Sequence, residues 1–296
     1  MDNGRLLLLF SIGILAVWYA WRWIALERGA GLREPSRGGR RLIGDVIIGF
    51  VTLFFDTLGI GAFAPTAAIY KFQNRVTDEE IPGTMNVGNA LPAVTEALIF
   101  ISSVRVDFRT LISMIAAAAL GAVVGVHVVA NLPRKAIQIG MGLALLIAAL
   151  LFLVKNLNWM PSGGDALGLQ GWALALAVAA SFTLGAVHML GVGFFAPCLI
   201  LLSLLGMSPL AAFPIMMGAT AFLLPIGGAS FIKSRRYNLR AALGLTLGGI
   251  PGVLIAAFVV KSIPVVWLRW LVIVVATYAS MRMFISASKQ SKIKQQ

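Results

Sequence analysis

The sequence predicts an all-α polytopic membrane fold of two inverted repeats. Each repeat is a broken or re-entrant helix followed by three transmembrane helices, and one extra helix precedes them. Three observations predict this. Of 296 residues, 59% are apolar and only 12% charged, where a soluble domain is nearer about half and a quarter. The apolar residues fall in nine runs with polar boundaries, at about 6–24, 43–70, 84–103, 110–131, 136–154, 172–203, 210–232, 241–260 and 264–285. Two of those runs share one glycine-rich element.

The first run resembles a signal peptide, with Arg5 ahead of a leucine stretch. It ends in Trp18-Tyr19-Ala20-Trp21-Arg22-Trp23 with no small-x-small cleavage site, so it reads as a retained helix. The basic segment after it carries Arg28, Arg33, Arg37, Arg40 and Arg41. With the loop Lys233, Arg235, Arg236 and Arg240 and the tail Lys289, Lys292 and Lys294, it is expected on the cytoplasmic side. The net charge of +13 therefore reads as an orientation signal facing anionic lipid, not as a nucleic-acid footprint. The single cysteine, Cys198, excludes an intrachain disulfide and a cysteine metal cluster.

Seven runs have the length of one crossing, roughly 20 residues. The runs at 43–70 and 172–203 are too long, and each is broken near its middle. Leu58-Gly59-Ile60-Gly61-Ala62-Phe63-Ala64-Pro65 matches Leu190-Gly191-Val192-Gly193-Phe194-Phe195-Ala196-Pro197 at an offset of 132. Arg105…Arg109 then pairs with Arg236…Arg240, Gly121 with Gly252, and Leu132-Pro133 with Ile263-Pro264, at an offset of 131. The chain divides into a helix and basic loop (1–42), repeat 1 (43–155), a linker (156–171), repeat 2 (172–286) and a basic tail (287–296). If the broken segments cross, the copies are parallel; if they are re-entrant, the copies are inverted. Basic-residue counts and the interfacial tryptophans fit both. The half-segment 44–57 spans about 21 Å as a helix, too short to cross, so the inverted arrangement is the expectation.

Glycine permits positive φ and close backbone approach, and proline suits a first helical turn. Each element therefore reads as unwound backbone leading into a half-helix near Pro65 or Pro197. The free N–H groups of such a terminus suit an anion. The candidate binding residues are Gly59, Ile60, Gly61 and Ala62 in one element and Gly191, Val192, Gly193 and Phe194 in the other. Asn86, Asn89 and Thr220 are candidate hydrogen-bond donors, or interhelical contacts with equal weight. Ionisable groups inside a membrane are costly and functional by default. Asp56, its repeat equivalent His188, and Glu96 are candidates for carrying coupling protons, with a helix-end or interfacial position the alternative for Asp56 and Glu96. His127 reads as a packing residue. Nucleophile, nucleotide-loop and zinc-protease signatures are absent. The two histidines, His127 and His188, are not paired by the repeat, so no metal site is expected of them. The expectation is a non-enzyme with no cofactor and no metal.

On these residues the chain resembles the TauE/SafE permeases, the toluene-sulfonate uptake permease family. The resemblance rests on the two glycine elements, Gly59-Ile60-Gly61…Pro65 and Gly191-Val192-Gly193…Pro197. It rests also on the basic turn, glycine-spaced helix and Leu/Ile-Pro break, seen as Arg105…Arg109, Gly121…Gly125, Leu132-Pro133 and as Arg235-Arg236…Arg240, Gly248…Gly252, Ile263-Pro264. It covers nearly all of 43–286. Ala62-Phe63-Ala64 stands where many members have a run of glycines, which makes this element bulkier. The resemblance implies transport of a small sulfur-containing anion, sulfite or an organosulfonate, and an inverted-repeat fold. The expected place is the bacterial inner membrane, with the N-terminus periplasmic and the C-terminus cytoplasmic. The expected partners are the substrate anion, protons, the lipid bilayer and a second copy in a homodimer. The competing readings are a passive anion channel, a cation or metal permease using Asp56 and Glu96, and a structural membrane subunit.

Overall fold

The computed structural model describes residues 3–29, 39–129, 131–159, 163–259 and 266–293. Arg33, Arg37, the Ile263-Pro264 break and Lys294 lie outside the described residues, as do the side chains of Arg40, Lys289 and Lys292. Among the described residues the structure is helical, apart from one isolated bridge between Ala166 and Met207. The elements are α1 (Asn3–Gly29), α2 (Gly39–Thr57), α3 (Phe63–Gln73), α4 (Ile81–Gly88), α5 (Ala90–Ser103) and α6 (Phe108–Val129). They continue with α7 (Arg134–Asn156), α8 (Gly171–His188), α9 (Phe195–Leu204), α10 (Pro209–Ser234), α11 (Leu239–Val259) and α12 (Val266–Ile293).

Among the described residues six helices are long and apolar enough to cross a membrane: α1, α6, α7, α8, α10 and α11. Side chains such as Phe10, Ile14 and Val17 of α1 point outward, about 70% exposed. Apolar surface of that extent fits a lipid surround.

Contacts at the helix ends decide the path of the broken segments. Arg75, just beyond α3, reaches Asp45 near the start of α2 at 2.9 Å and the Arg41 carbonyl at 3.1 Å. So α2 enters the bundle and α3 returns to the same end. Arg240 at the start of α11 also binds Asp45, at 3.1 Å. Arg236 caps the far end of α6 through the carbonyls of Val129 and Leu132. With Lys71, Arg134, Lys233, Arg235 and Arg282, these residues make this the basic end.

The α8–α9 segment does the same from the opposite end. Before α8, Leu167 O accepts the Asp107 N–H at 2.8 Å, and Leu169 N–H donates to Thr110 Oγ1 at 2.9 Å, both at the start of α6. After α9, Ser208 N–H donates to Ala166 O at 2.8 Å. The two hairpins therefore enter from opposite ends and meet by their tips.

The long arm of each hairpin packs on the other half of the chain through glycine. A Cβ on Gly121 of α6 would lie 1.9 Å from Phe182 O of α8, and one on Gly252 of α11 would lie 2.5 Å from Phe50 O of α2. Gly121 and Gly252 are 131 positions apart and Phe50 and Phe182 are 132 apart, so one contact is made twice, crosswise. Backbones this close need residues without side chains.

Helices α4 and α5 form one interrupted rod. Pro92 cannot donate to the carbonyl four residues back. That carbonyl, Gly88 O, accepts the Thr246 hydroxyl of α11 at 2.7 Å instead. Helix α1 lies outside the duplication and is tied in by Tyr19 to Val87 O, Trp23 to Tyr237, and Glu27 to Arg235 and Tyr237.

Candidate functional site

Hairpin 1 turns at 58–62 and hairpin 2 at 189–194. Gly59, Gly61 and Gly191 have φ of +86°, +87° and +92°, a region that L side chains avoid. Gly193 does not share it, so the second turn is less demanding at its third position. Half-helices α3 and α9 start at Phe63 and Phe195, and Pro65 and Pro197 occupy their first turns. The first N–H groups of each lack intrahelical acceptors.

The tips interlock. The Phe63 ring lies 4.1 Å from the His188 ring, centroid to centroid, and Phe194 stands edge-on to His188 at 6.3 Å. Ile60, Gly61, Val192 and Gly193 line a cavity of about 30 Å³ between the tips, closed on one side by Ala144, Ile147, Ala148 and Leu151 of α7. That is about the space of one water molecule. An anion of four heavy atoms does not fit, so the tips are closed against each other. No lysine, arginine or acid lines this cavity.

A polar stripe runs along α4–α5 beside the tips. Asn86, Asn89, Ala93 and Glu96 follow at helical spacing and are all buried. Asn86 faces hairpin 2: its Oδ1 and the Met189 side chain both converge on Gly227 of α10. Its Nδ2 donates to Pro82 O at 2.8 Å. Glu96 faces hairpin 1, where its Oε1 lies 2.7 Å from Thr57 Oγ1. Asp56 Oδ1 accepts the Ala62 N–H at 2.7 Å, so a carboxylate caps the first half-helix. His188 has no well-formed hydrogen bond on either ring nitrogen, although the Val192 N–H lies near.

Buried polar atoms without partners collect here: Thr66 Oγ1, Asn86 Oδ1, both polar atoms of the Asn89 amide, Glu96 Oε2 and both ring nitrogens of His188. Buried polar groups are nearly always bonded, so this set makes the region the candidate site. Thr220 is spent on its own helix, donating to Met216 O or Met217 O. His127 is exposed and bonds Val123 O of its own helix. Asp45 is fully buried between Arg75 and Arg240 at the basic end, not at the tips. Among the described residues no group of three metal-ligating side chains forms.

Sequence reading passed over Thr57 and Thr66, since hydroxyls in apolar runs carry no periodic signal. It also passed over the α7 wall, whose alanines and leucines look like any span.

No curated protein and no solved structure matches the chain. The family model described as sulfite exporter TauE/SafE matches residues 2–152, half of the chain, from α1 into α7. That family is one of transporters, membrane permeases of the sulfite-exporter type. The match, the apolar helices and the two glycine turns agree, and this chain belongs to the sulfite exporter TauE/SafE family.

Proposed function

We propose that this protein is a secondary permease, not an enzyme, that moves a small sulfur-containing anion, sulfite or an organosulfonate, across the bacterial inner membrane. The basic end faces the cytoplasm, where anionic lipid favours lysine and arginine. The N-terminus is then periplasmic and the C-terminus cytoplasmic. The observation that carries the reading is the meeting of two half-helix N-termini, from hairpins that enter from opposite ends. The turns Gly59–Ala62 and Gly191–Phe194 bind the anion. The N–H groups of Gly59, Ile60, Ala62 and Gly191 are bonded within their own hairpins, so Gly61, Gly193 and Phe194 supply the donors, with Asn86 and Asn89 beside them and Thr220 a weaker candidate. The closed tips part on one side at a time to give alternating access.

Proton coupling belongs to the same reading. Asp56 already occupies the first half-helix terminus through Ala62. Two negative charges at one terminus repel, so the anion enters when the local carboxylates carry a proton. Asp56, Glu96 and His188 are the groups that can hold it.

The test is sulfite flux into proteoliposomes of the purified chain, with and without a pH gradient. Flux that sulfonates compete with, and that a pH gradient drives, supports the proposal. Flux indifferent to the pH gradient favours a passive channel. The proximity of Asp56 and Glu96 supports one rival, a cation permease. Competition by a divalent cation and none by sulfite would establish it.

A further inference from the structure

The contact between Thr57 and Glu96 carries more information than its distance. Thr57 Oγ1 lies 2.9 Å from Leu53 O and 2.7 Å from Glu96 Oε1. A hydroxyl owns one proton, and a backbone carbonyl owns none to give. If Glu96 is a carboxylate, Thr57 can serve only one of these two acceptors. The other is then an oxygen held against an oxygen with no hydrogen between them. Both contacts are hydrogen bonds only if Glu96 donates to Thr57 and Thr57 donates to Leu53. The second carboxyl oxygen, Oε2, is buried and has no partner. A neutral carbonyl tolerates that far better than half of a charged carboxylate does.

Among the described residues no basic side chain bonds Glu96. Helices α1, α4, α10 and α11 pack on α5. Their charged side chains lie elsewhere: Arg5 on Val106 O, Glu27 on Arg235, Arg240 on Asp45, and Arg22 and Arg28 in the last two turns of α1, where Glu27 meets Arg235. Lys233 lies in the last turn of α10 at the basic end. The acid nearest in sequence to the contact is Asp56, which directly precedes Thr57 and has the same sign as Glu96.

The second copy shows what this contact replaces. At the repeat offsets of 132 in the hairpins and 131 beyond them, Thr57 corresponds to Met189 and Glu96 to Gly227. Met189 packs directly on Gly227, its sulfur 2.3 Å from where a Cβ would sit. The same junction between tip and scaffold is thus a hydroxyl on a carboxyl in copy 1 and a thioether on bare backbone in copy 2.

We propose that Thr57 is a positioning residue that holds a proton on Glu96, making their contact a proton-dependent tie between the tip of hairpin 1 and α5. This rests on the transport reading and sharpens it: of the three coupling candidates, Glu96 holds the proton. When Glu96 releases it, the carboxylate can only accept, and it faces Asp56. Thr57 then has one proton for two acceptors, so the junction keeps one hydrogen bond instead of two while a new charge faces Asp56. Hairpin 2, with Met189 on Gly227, has no such response.

The test uses the purified full chain. Difference infrared spectroscopy between wild type and Glu96→Gln reads a protonated carboxyl directly, independently of transport. The expected result at neutral pH is a carboxylic-acid carbonyl band in wild type that Glu96→Gln removes. Thr57→Val, nearly isosteric, moves that band to higher frequency, and Thr57→Ser restores it. In proteoliposomes Thr57→Val flattens the pH profile of sulfite flux and lowers the peak roughly tenfold, the scale of a lost buried hydrogen bond. Thr57→Ser keeps the wild-type profile. A band that survives in Glu96→Gln, or that Thr57→Val leaves unmoved, overturns the proposal, as does a wild-type pH profile in Thr57→Val. Absent flux in wild type would count against the transport reading, while the band would still decide the proton.

Discussion

The two hairpins have one backbone plan and opposite chemistry. Hairpin 1 is fastened by charge. Asp45 is buried between Arg75 and Arg240, and Lys71 holds Asp78, which also takes Gln138 Nε2 of α7 at 2.8 Å. Hairpin 2 has Ala177 where hairpin 1 has Asp45, and Ser203 where it has Lys71. Its mouth is closed by backbone bonds around Ala166, Leu167 and Ser208. At the tips the contrast repeats, Asp56 and Thr57–Glu96 against His188 and Met189–Gly227. Inverted copies of one unit need not do equal work. Here one arm is fastened by ion pairs and carboxyl groups, and the other by backbone bonds and packing.

The largest effects should come from the glycine turns, and they should be unequal. Gly61→Leu places a side chain at a φ of +87° between the tips and should abolish sulfite flux while the protein still inserts. Gly61→Ala should already cost roughly 1–2 kcal/mol from the left-handed backbone. Gly193→Ala, with ordinary φ and nothing within 4 Å of the new Cβ, should retain most flux. Equal loss from both alanines would show that the turns are equivalent after all.

Next in size is the base of hairpin 1. Asp45→Ala leaves Arg240, itself 5% exposed, without its acid, and should cost roughly 3–5 kcal/mol of stability. Thermal unfolding in detergent reads it, and an unchanged midpoint would mean the charged latch is idle. Gly227→Ala in copy 2 adds a methyl against the Met189 sulfur and should cost roughly 1–3 kcal/mol. That loss should be independent of pH, unlike the loss from Thr57→Val in copy 1. The smallest effect is Thr246→Val, which frees Gly88 O at the Pro92 interruption and should cost about 0.6 kcal/mol.

Much of this plan was legible in the sequence because its signals were local. Twenty-residue apolar runs, a glycine element written twice and a basic-end bias are readable without coordinates. The choice between crossing and re-entrant segments was not. It depends on Arg75 meeting Asp45 and on Ser208 meeting Ala166, contacts between residues that no periodicity joins. Asn86, Asn89, Glu96 and His188 stood out as polar residues in apolar runs, and the structure leaves polar atoms of all four unpartnered. Thr57 was invisible because a threonine in a helix ordinarily bonds its own backbone, as this one also does. Its meaning appears only when Glu96 is placed against it.

The two hairpins are re-entrant from opposite ends. In a background with Cys198→Ala, single cysteines at Asp165 and Thr77, both exposed, test it with a membrane-impermeant maleimide on intact cells. Re-entrant inverted hairpins place Asp165→Cys outside, labelled without permeabilisation, and Thr77→Cys inside, labelled only after it. The reverse pattern, Thr77→Cys labelled on intact cells and Asp165→Cys protected, would mean that both broken segments cross and would contradict the account.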